Sequence, residues 1–234
     1  SRGDSVTLLA AVGDVWVCSG QSNMTMPLSA TERASDRIAA SHAPDIHLLT
    51  IPRLVSDVPQ AAFRGDGWQV CSPETSANFS ALAYYFGRHL QPVLQVPLGL
   101  VHASVGATPA EAWTTVAVLE SEADFQPILD RWRQSLKDYP HEEARYERDF
   151  AVFSAALDAA ERAGRPLRGV HPRLIGPGHH WTPQGLYNGM IAPLTQFPIR
   201  GVLWYQGAAA PETAYQYRKL FPALIHQWRC AWGR

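Results

Sequence analysis

Gly13-Asp14-Val15-Trp16-Val17-Cys18-Ser19-Gly20-Gln21-Ser22-Asn23-Met24 is the stretch that decides the fold. The apolar run Val15–Cys18 stops at Ser19-Gly20, and Ser22 follows at once. A short, continuous apolar run ending in a turn signal reads as a strand buried on both faces. A buried strand that breaks at glycine and presents a serine is how an α/β hydrolytic fold exposes a nucleophile at its sheet edge. Ser22 is therefore the candidate nucleophile.

Working outward, Ile46–Ile51, Pro97–Ala103 and Ile199–Tyr205 are further apolar strand candidates, and Thr7–Ala11 a short one. Ser29–Ser41 reads as a helix or irregular polar segment, and Trp68–Ser80 as a loop. In Ser80–Gln91, Leu82, Tyr85, Phe86, His89 and Leu90 recur at helical spacing, and in Leu220–Trp232 so do Phe221, Leu224, Ile225, Trp228 and Trp232. Residues 117–183 are an excursion: two or three helices over 117–163, then a Gly/Pro-rich loop over Arg165–Pro183. Strands alternating with helices predict an α/β fold with a mainly parallel sheet covered on both faces. Ligands in such sheets bind beyond the carboxyl ends of the strands. Three loops rich in small residues leave strand ends there: Ser19–Met24, Ser104–Thr108 and Gln206–Ala210. In the second, Gly106 permits close backbone approach, so its N–H can serve with that of Ser22 as an oxyanion donor.

Composition narrows the classes. The chain has 234 residues, 46% hydrophobic and 18% charged, which suits a single globular domain. A net charge of -1 offers no basic field for nucleic acid. No apolar run approaches the roughly 20 residues needed to span a bilayer, so no membrane insertion is expected. The start, SRGDSVTL, does not read as a signal peptide. Cys18, Cys71 and Cys230 are scattered without metal spacing, and Cys18 reads as a core residue. His171, His179 and His180 share a loop with Trp181 but have no neighbouring carboxylates or cysteines, so the loop reads as substrate-contacting or merely solvated, and no metal and no other cofactor is expected. The sequon at Asn23 overlaps the serine loop and reads as chance; a second begins at Asn78.

Several segments together resemble the sialate O-acetylesterase family of SGNH hydrolases. GDVWVCSGQSNM resembles its first block and SVGATPAEAW (Ser104–Trp113) its second. LYNGMIAPL (Leu186–Leu194), GVLWYQG (Gly201–Gly207) and YRKLFPALIHQWR (Tyr217–Arg229) resemble later segments, in the right order. The resemblance implies a three-layer α/β/α sandwich of flavodoxin-like kind. It implies a carbohydrate O-acetylesterase in which Ser22 attacks an acetyl ester on a sugar and water then releases acetate. It implies oxyanion donors at Ser22 and Gly106, and Gln21, Asn23, Glu111, Trp113, Asn188 and Gln206 near the cleft. For Glu111, Trp113 and Asn188, packing and bracing are the alternative role. The family's glycans are extracytoplasmic or lysosomal, which suggests an extracytoplasmic location.

The third block departs from the family's WYQGESN or WYQGEAN. Ala208 stands for the glutamate and Ala210 for the asparagine whose side chain completes the oxyanion hole. Losing one such donor costs roughly 10²–10³ in kcat. Ala107 replaces the second glycine of the family's GGT. The family's D-x-x-H, source of the catalytic base, is expected beyond this block, and the chain reads as incomplete at its C-terminus. His226 reads as a flanking residue of the last helix, Asp138-Tyr139-Pro140-His141 as a coincidence within the excursion, and Gly3–Leu8 as a polar turn rather than a GDSL motif. Two readings follow: an O-acetylesterase impaired in this chain, or a non-catalytic descendant that binds acetylated glycans.

Overall fold

The computed structural model describes residues 10–166, 172–207 and 214–234. Its centre is β1 (Asp14–Gly20), flanked in parallel by β4 (Leu98–Ser104) and β5 (Gly201–Tyr205). β2 (Ala43–Thr50) runs parallel to β4, and β3 (Gln69–Cys71) pairs antiparallel at the edge, giving the order β3-β2-β4-β1-β5. The inner parallel strands read as apolar runs because both faces are covered, whereas β5, an apolar run too, lies at the edge and holds no buried residue. Val17, Leu49, Val101 and Ala103 face one core, with Trp113, Leu224 and Trp228. Cys18, Leu48 and Leu100 face the other, with Met24, Ala83 and Tyr84. Helices therefore lie on both sides of the sheet, and the three-layer α/β/α expectation is met.

The helices are α1 (Ser22–Thr25), α2 (Ala34–Ala39), α3 (Pro73–Ser76), α4 (Ala81–Leu94), α5 (Val116–Ser121), α6 (Gln126–Arg162) and α7 (Ala214–Ala231). α4 starts where Ser80 accepts a hydrogen bond from the Ala83 N–H, a side-chain cap. On α7, Leu220, Leu224 and Trp228 are buried, while Phe221, Ile225 and, just past its end, Trp232 are half-buried. Tyr187–Ile191 forms a buried π-helical turn.

Two segments differ from the sequence reading. The excursion holds one 37-residue helix where two or three were expected. Its sequence contains no glycine, and its internal Pro140 is tolerated on a helix whose buried residues, Ile128 and Leu129, lie in its first turn. Beyond them it is mostly exposed, with Trp132 half-buried and the Tyr139 ring against Gly176, and it is laced by pairs such as Arg145–Asp149 and Tyr139–Glu143. Trp68–Ser80, read as loop, holds β3 and α3. Ser72 and Thr75 form a capping box there, so the polar residues that suggested a loop are a helix cap. Of the expected strand at Thr7–Ala11, and of Gly3–Leu8, residues up to 9 lie outside the described residues; Ala10 and Ala11 are not in a strand. All three cysteines are free. No described helix is long and apolar enough to cross a membrane.

Candidate active site

The register brings the site together. Gly20 is level with Ser104 on one side and with Tyr205 on the other, so the ends of β1, β4 and β5 coincide at the carboxyl edge. Gly20 has φ +129°, and a Cβ there would lie 2.1 Å from the Tyr205 carbonyl oxygen. Only glycine lets β1 end against β5 in this way. The Gln21 N–H then donates to that same carbonyl (3.0 Å), and the chain turns into α1 with Ser22 exposed at its first position.

Ser22 Oγ has two partners. It donates to Gln21 Oε1 (2.9 Å) and accepts the Ala107 N–H (3.1 Å). Gln21 Oε1 also accepts the Ser22 N–H at 3.0 Å, so the amide expected as an oxyanion donor is engaged in this structure. The second loop meets the serine through Ala107 rather than through the expected N–H of Gly106. Gly106 lies alongside, where an added Cβ would be 3.5 Å from Ser22 Oγ, an ordinary contact. The tight position is Ala107, at φ +58°.

Beneath the loops lies a buried polar chain. His102 Nε2 bonds Ser104 Oγ (2.7 Å), which bonds Thr25 Oγ1 (2.9 Å), which donates to the Gln21 carbonyl (3.3 Å). Burial pushes the His102 imidazole down to about 4, so it is neutral at physiological pH. The chain ties α1 to β4 but does not reach Ser22 Oγ. Among the described residues, no histidine or carboxylate bonds that oxygen.

The other sequence-predicted residues fall into distinct places. Gln206 reaches across to the second loop, where its Nε2 donates to the Thr108 carbonyl (3.0 Å), and its buried Oε1 lacks a partner. Gly207 packs against the amide of Gln21, so a Cβ there would push that side chain from its place beside Ser22. Asn23 is exposed beside Ser22. Trp113 is fully buried and donates to Thr108 Oγ1 (3.0 Å), so it braces the loop from below and offers no surface to a substrate. Asn188 is likewise buried, donating to the Ser56 carbonyl (3.0 Å). Glu111 lies 3.9 Å from Arg131 of α6, and burial raises its carboxyl pKa. Trp113 and Asn188 thus take the packing and bracing role rather than substrate contact. His226 is exposed on α7, and Asp138–His141 lie on the solvent-facing part of α6. Ala208, Ala210 and His171 lie outside the described residues. No group of three or more metal-ligating side chains occurs among the described residues.

Sequence reasoning singled out the loop of His179, His180 and Trp181, but not Arg53, at the rim. Trp181 Nε1 donates to the Ala107 carbonyl (2.6 Å), one peptide from the N–H that meets Ser22. Beside it the His179 and His180 rings lie 4.1 Å apart, and Arg53 Nη2 bonds His180 Nδ1 at 2.9 Å. Trp181 carried a weak signal in its Gly/Pro-rich loop. Arg53 carried none, because its place depends on a contact with residues more than a hundred positions away.

A serine turn and a second small-residue turn, level at the carboxyl edge of a covered parallel sheet, define an SGNH-like α/β fold. The comparisons agree and narrow it. The chain is 31% identical to rat sialate O-acetylesterase and 29% identical to the human one, over 93% of its own length in each case. A solved carbohydrate acetylesterase from Xanthomonas citri superposes with a TM-score of 0.67 at 28% identity, covering 95% of this chain. No family model matches. The chain is thus similar to sialate O-acetylesterases along nearly its whole length, and it spans 39% of the rat relative and 35% of the human one.

Proposed function

We propose that this chain carries the nucleophile-bearing part of a carbohydrate O-acetylesterase site, acting on acetyl esters of sugars. The observation that carries the reading is Ser22: exposed at the end of a buried strand, with a backbone N–H aimed at its Oγ. In the proposed step Ser22 Oγ attacks the acetyl carbonyl carbon, and the sugar hydroxyl leaves with a proton. Water then attacks the acyl-serine, releasing acetate and restoring the hydroxyl. The Ala107 N–H, which rests on Ser22 Oγ, and the Ser22 N–H, which rests on Gln21, are the two donors for the developing oxyanion, each released from its resting partner as the substrate carbonyl enters. The amide of Gln21 orients the serine proton but is no base. Catalysis at full rate therefore needs a base that the described residues do not bring to Ser22.

The matching experiment is acetate release from p-nitrophenyl acetate and from an O-acetylated sugar by the 234-residue chain and its Ser22→Ala variant. Slow release is expected: an oxyanion hole and binding alone provide on the order of 10³–10⁴ over water without a triad, and the part contributed by Ser22 as nucleophile is the excess that Ser22→Ala loses. Equal release by both proteins would remove Ser22 as nucleophile, and turnover at ordinary esterase rates would remove the need for a further base. The second reading, a glycan-binding descendant, is favoured by the resting hydrogen bonds of Ser22 and by Ala208 and Ala210. It predicts glycan affinity that survives Ser22→Ala with no release at all.

A further inference from the structure

The loop that meets Ser22 is held from several sides, and one of its supports comes from the excursion. The Val105 N–H donates to the Gly20 carbonyl (3.2 Å), and Thr108 Oγ1 donates to the Val105 carbonyl (2.8 Å). Trp113 Nε1 holds Thr108 Oγ1 from below (3.0 Å), and Gln206 Nε2 holds the Thr108 carbonyl (3.0 Å). Residues 105 and 108 are thus fixed by the sheet, the core and the third loop. Ala107 lies between them at φ +58°, a conformation that an alanine keeps only where its surroundings impose it. The side chain that reaches it from outside is Trp181, whose Nε1 donates to the Ala107 carbonyl (2.6 Å).

Trp181 is itself set on a braced turn. Its own N–H donates to His179 Nδ1 (3.1 Å), and the Thr182 N–H and Oγ1 both donate to the His179 carbonyl (2.9 and 2.6 Å). The His179 N–H donates to the Gly176 carbonyl and the Gly185 N–H to the Thr182 carbonyl, each at 3.0 Å. Just beyond, the segment docks on the body of the fold. A Cβ on Gly185 would lie 2.7 Å from Val55 Cγ1, and one on Gly189 would lie 2.0 Å from the Leu54 carbonyl oxygen. The Gln184 N–H donates to the Glu111 carbonyl (2.9 Å), and its Oε1 accepts the Val116 N–H (2.8 Å). The indole is thus delivered to the rim from a clamped base.

Two bonds meet across one residue. The Ala107 N–H bonds Ser22 Oγ at 3.1 Å, while the Ala107 carbonyl bonds Trp181. The two peptide planes are rigid and turn only about the φ and ψ of Ala107. Pinning the carbonyl plane therefore restricts where the N–H points. We infer that Trp181 is a positioning residue of the serine site. It holds Ala107 in the conformation that aims its N–H at Ser22 Oγ, and so keeps one oxyanion donor in place. The inference rests on the esterase reading for the chemistry at Ser22. In this role Trp181 touches no reacting atom and acts through Ala107.

The test is amide exchange at Ala107, measured by NMR on the alanine-labelled 234-residue chain and on its Trp181→Phe and Trp181→Ala variants. Phenylalanine keeps a ring at the rim and loses the N–H. Exchange at Ala107 should quicken about tenfold in both variants, the weight of one hydrogen bond, with the thermal midpoint unchanged. Acetate release from p-nitrophenyl acetate, read as the excess over Ser22→Ala in each background, should fall by about tenfold as well. That is less than the roughly 10²–10³ lost with a donor outright, because the donor remains but is no longer aimed. The fall belongs to the limiting rate and leaves the half-saturating concentration unchanged. Unchanged exchange in Trp181→Phe, or an effect confined to Trp181→Ala, would overturn the inference, since ring packing and not the N–H would then hold the loop. Faster exchange with an unaltered Ser22-dependent rate would overturn it too. Exchange decides the tether even in a chain that releases no acetate, so a failed esterase reading and a failed tether are told apart.

Discussion

At the residue scale, two backbone positions hold the site, and they respond to substitution in opposite directions. Gly20 combines φ +129° with a Cβ direction blocked by the Tyr205 carbonyl. Gly20→Ala pays about 1–3 kcal/mol for the backbone region alone, and β5 must shift as well. Urea unfolding should show a loss above that range, with Gln21 no longer bonded to Tyr205; an unchanged midpoint would contradict the geometry. Ala107 is the reverse case, a non-glycine residue at φ +58°. The left-handed region costs such a residue about 1–2 kcal/mol, against about 0.5–1 kcal/mol of extra unfolded-state entropy for glycine. Ala107→Gly should therefore stabilise the chain by up to about 1 kcal/mol in the same measurement. The bond to Ser22 is preserved, because its donor is the backbone. Destabilisation by this change would mean that the methyl group makes a contact worth more than the strain.

At the element scale, what was legible in the sequence was whatever is fixed locally or by burial. β1, β2 and β4 announced themselves because strands covered on both faces are apolar without alternation, and β5 by the same apolar run although, at the edge among the described residues, it holds no buried residue. Their order in the sheet, with β4 between β2 and β1, had no local signal, since it depends on pairings far apart in sequence. α6 shows the opposite limit. Its length was hidden by Pro140, which breaks helices in cores but costs less on a solvated rod. The site divides in the same way. Ser22 and the second loop could be found from their own residues. That Ala107 rather than Gly106 meets Ser22 Oγ depends on the turn's dihedrals. That Arg53 reaches the rim depends on glycines at 185 and 189. Trp113 looked like a cleft residue only through its match to the family's second block, yet the turn Ala110–Trp113 sends its ring inward to the core.

At the scale of the whole molecule, the buried imidazole of His102 couples folding to acidity. Its pKa is pushed from 6.5 down to about 4 by burial between α1 and the sheet. A histidine lowered in this way holds fewer protons folded than unfolded between those two values. Stability therefore rises with pH across the window and is lost as pH falls from about 6.5 toward 4. His180, pushed down mainly by burial, acts in the same direction. Glu111 acts against them: its raised carboxyl pKa favours the folded state while protonated, so its contribution fades as pH rises through the raised value. The histidines should dominate, because His102 lies deep in the sheet while Glu111 is partly relieved by Arg131. Urea midpoints should be flat above about pH 7 and fall steadily below 6.5. His102→Gln keeps an amide to bond Ser104 but has no proton to gain. It should flatten that fall, whatever it does to stability at neutral pH. An equally steep fall in the variant would place the acid sensitivity elsewhere. It would also remove the reason to regard the His102–Ser104–Thr25 chain as what holds the nucleophile's helix on the sheet.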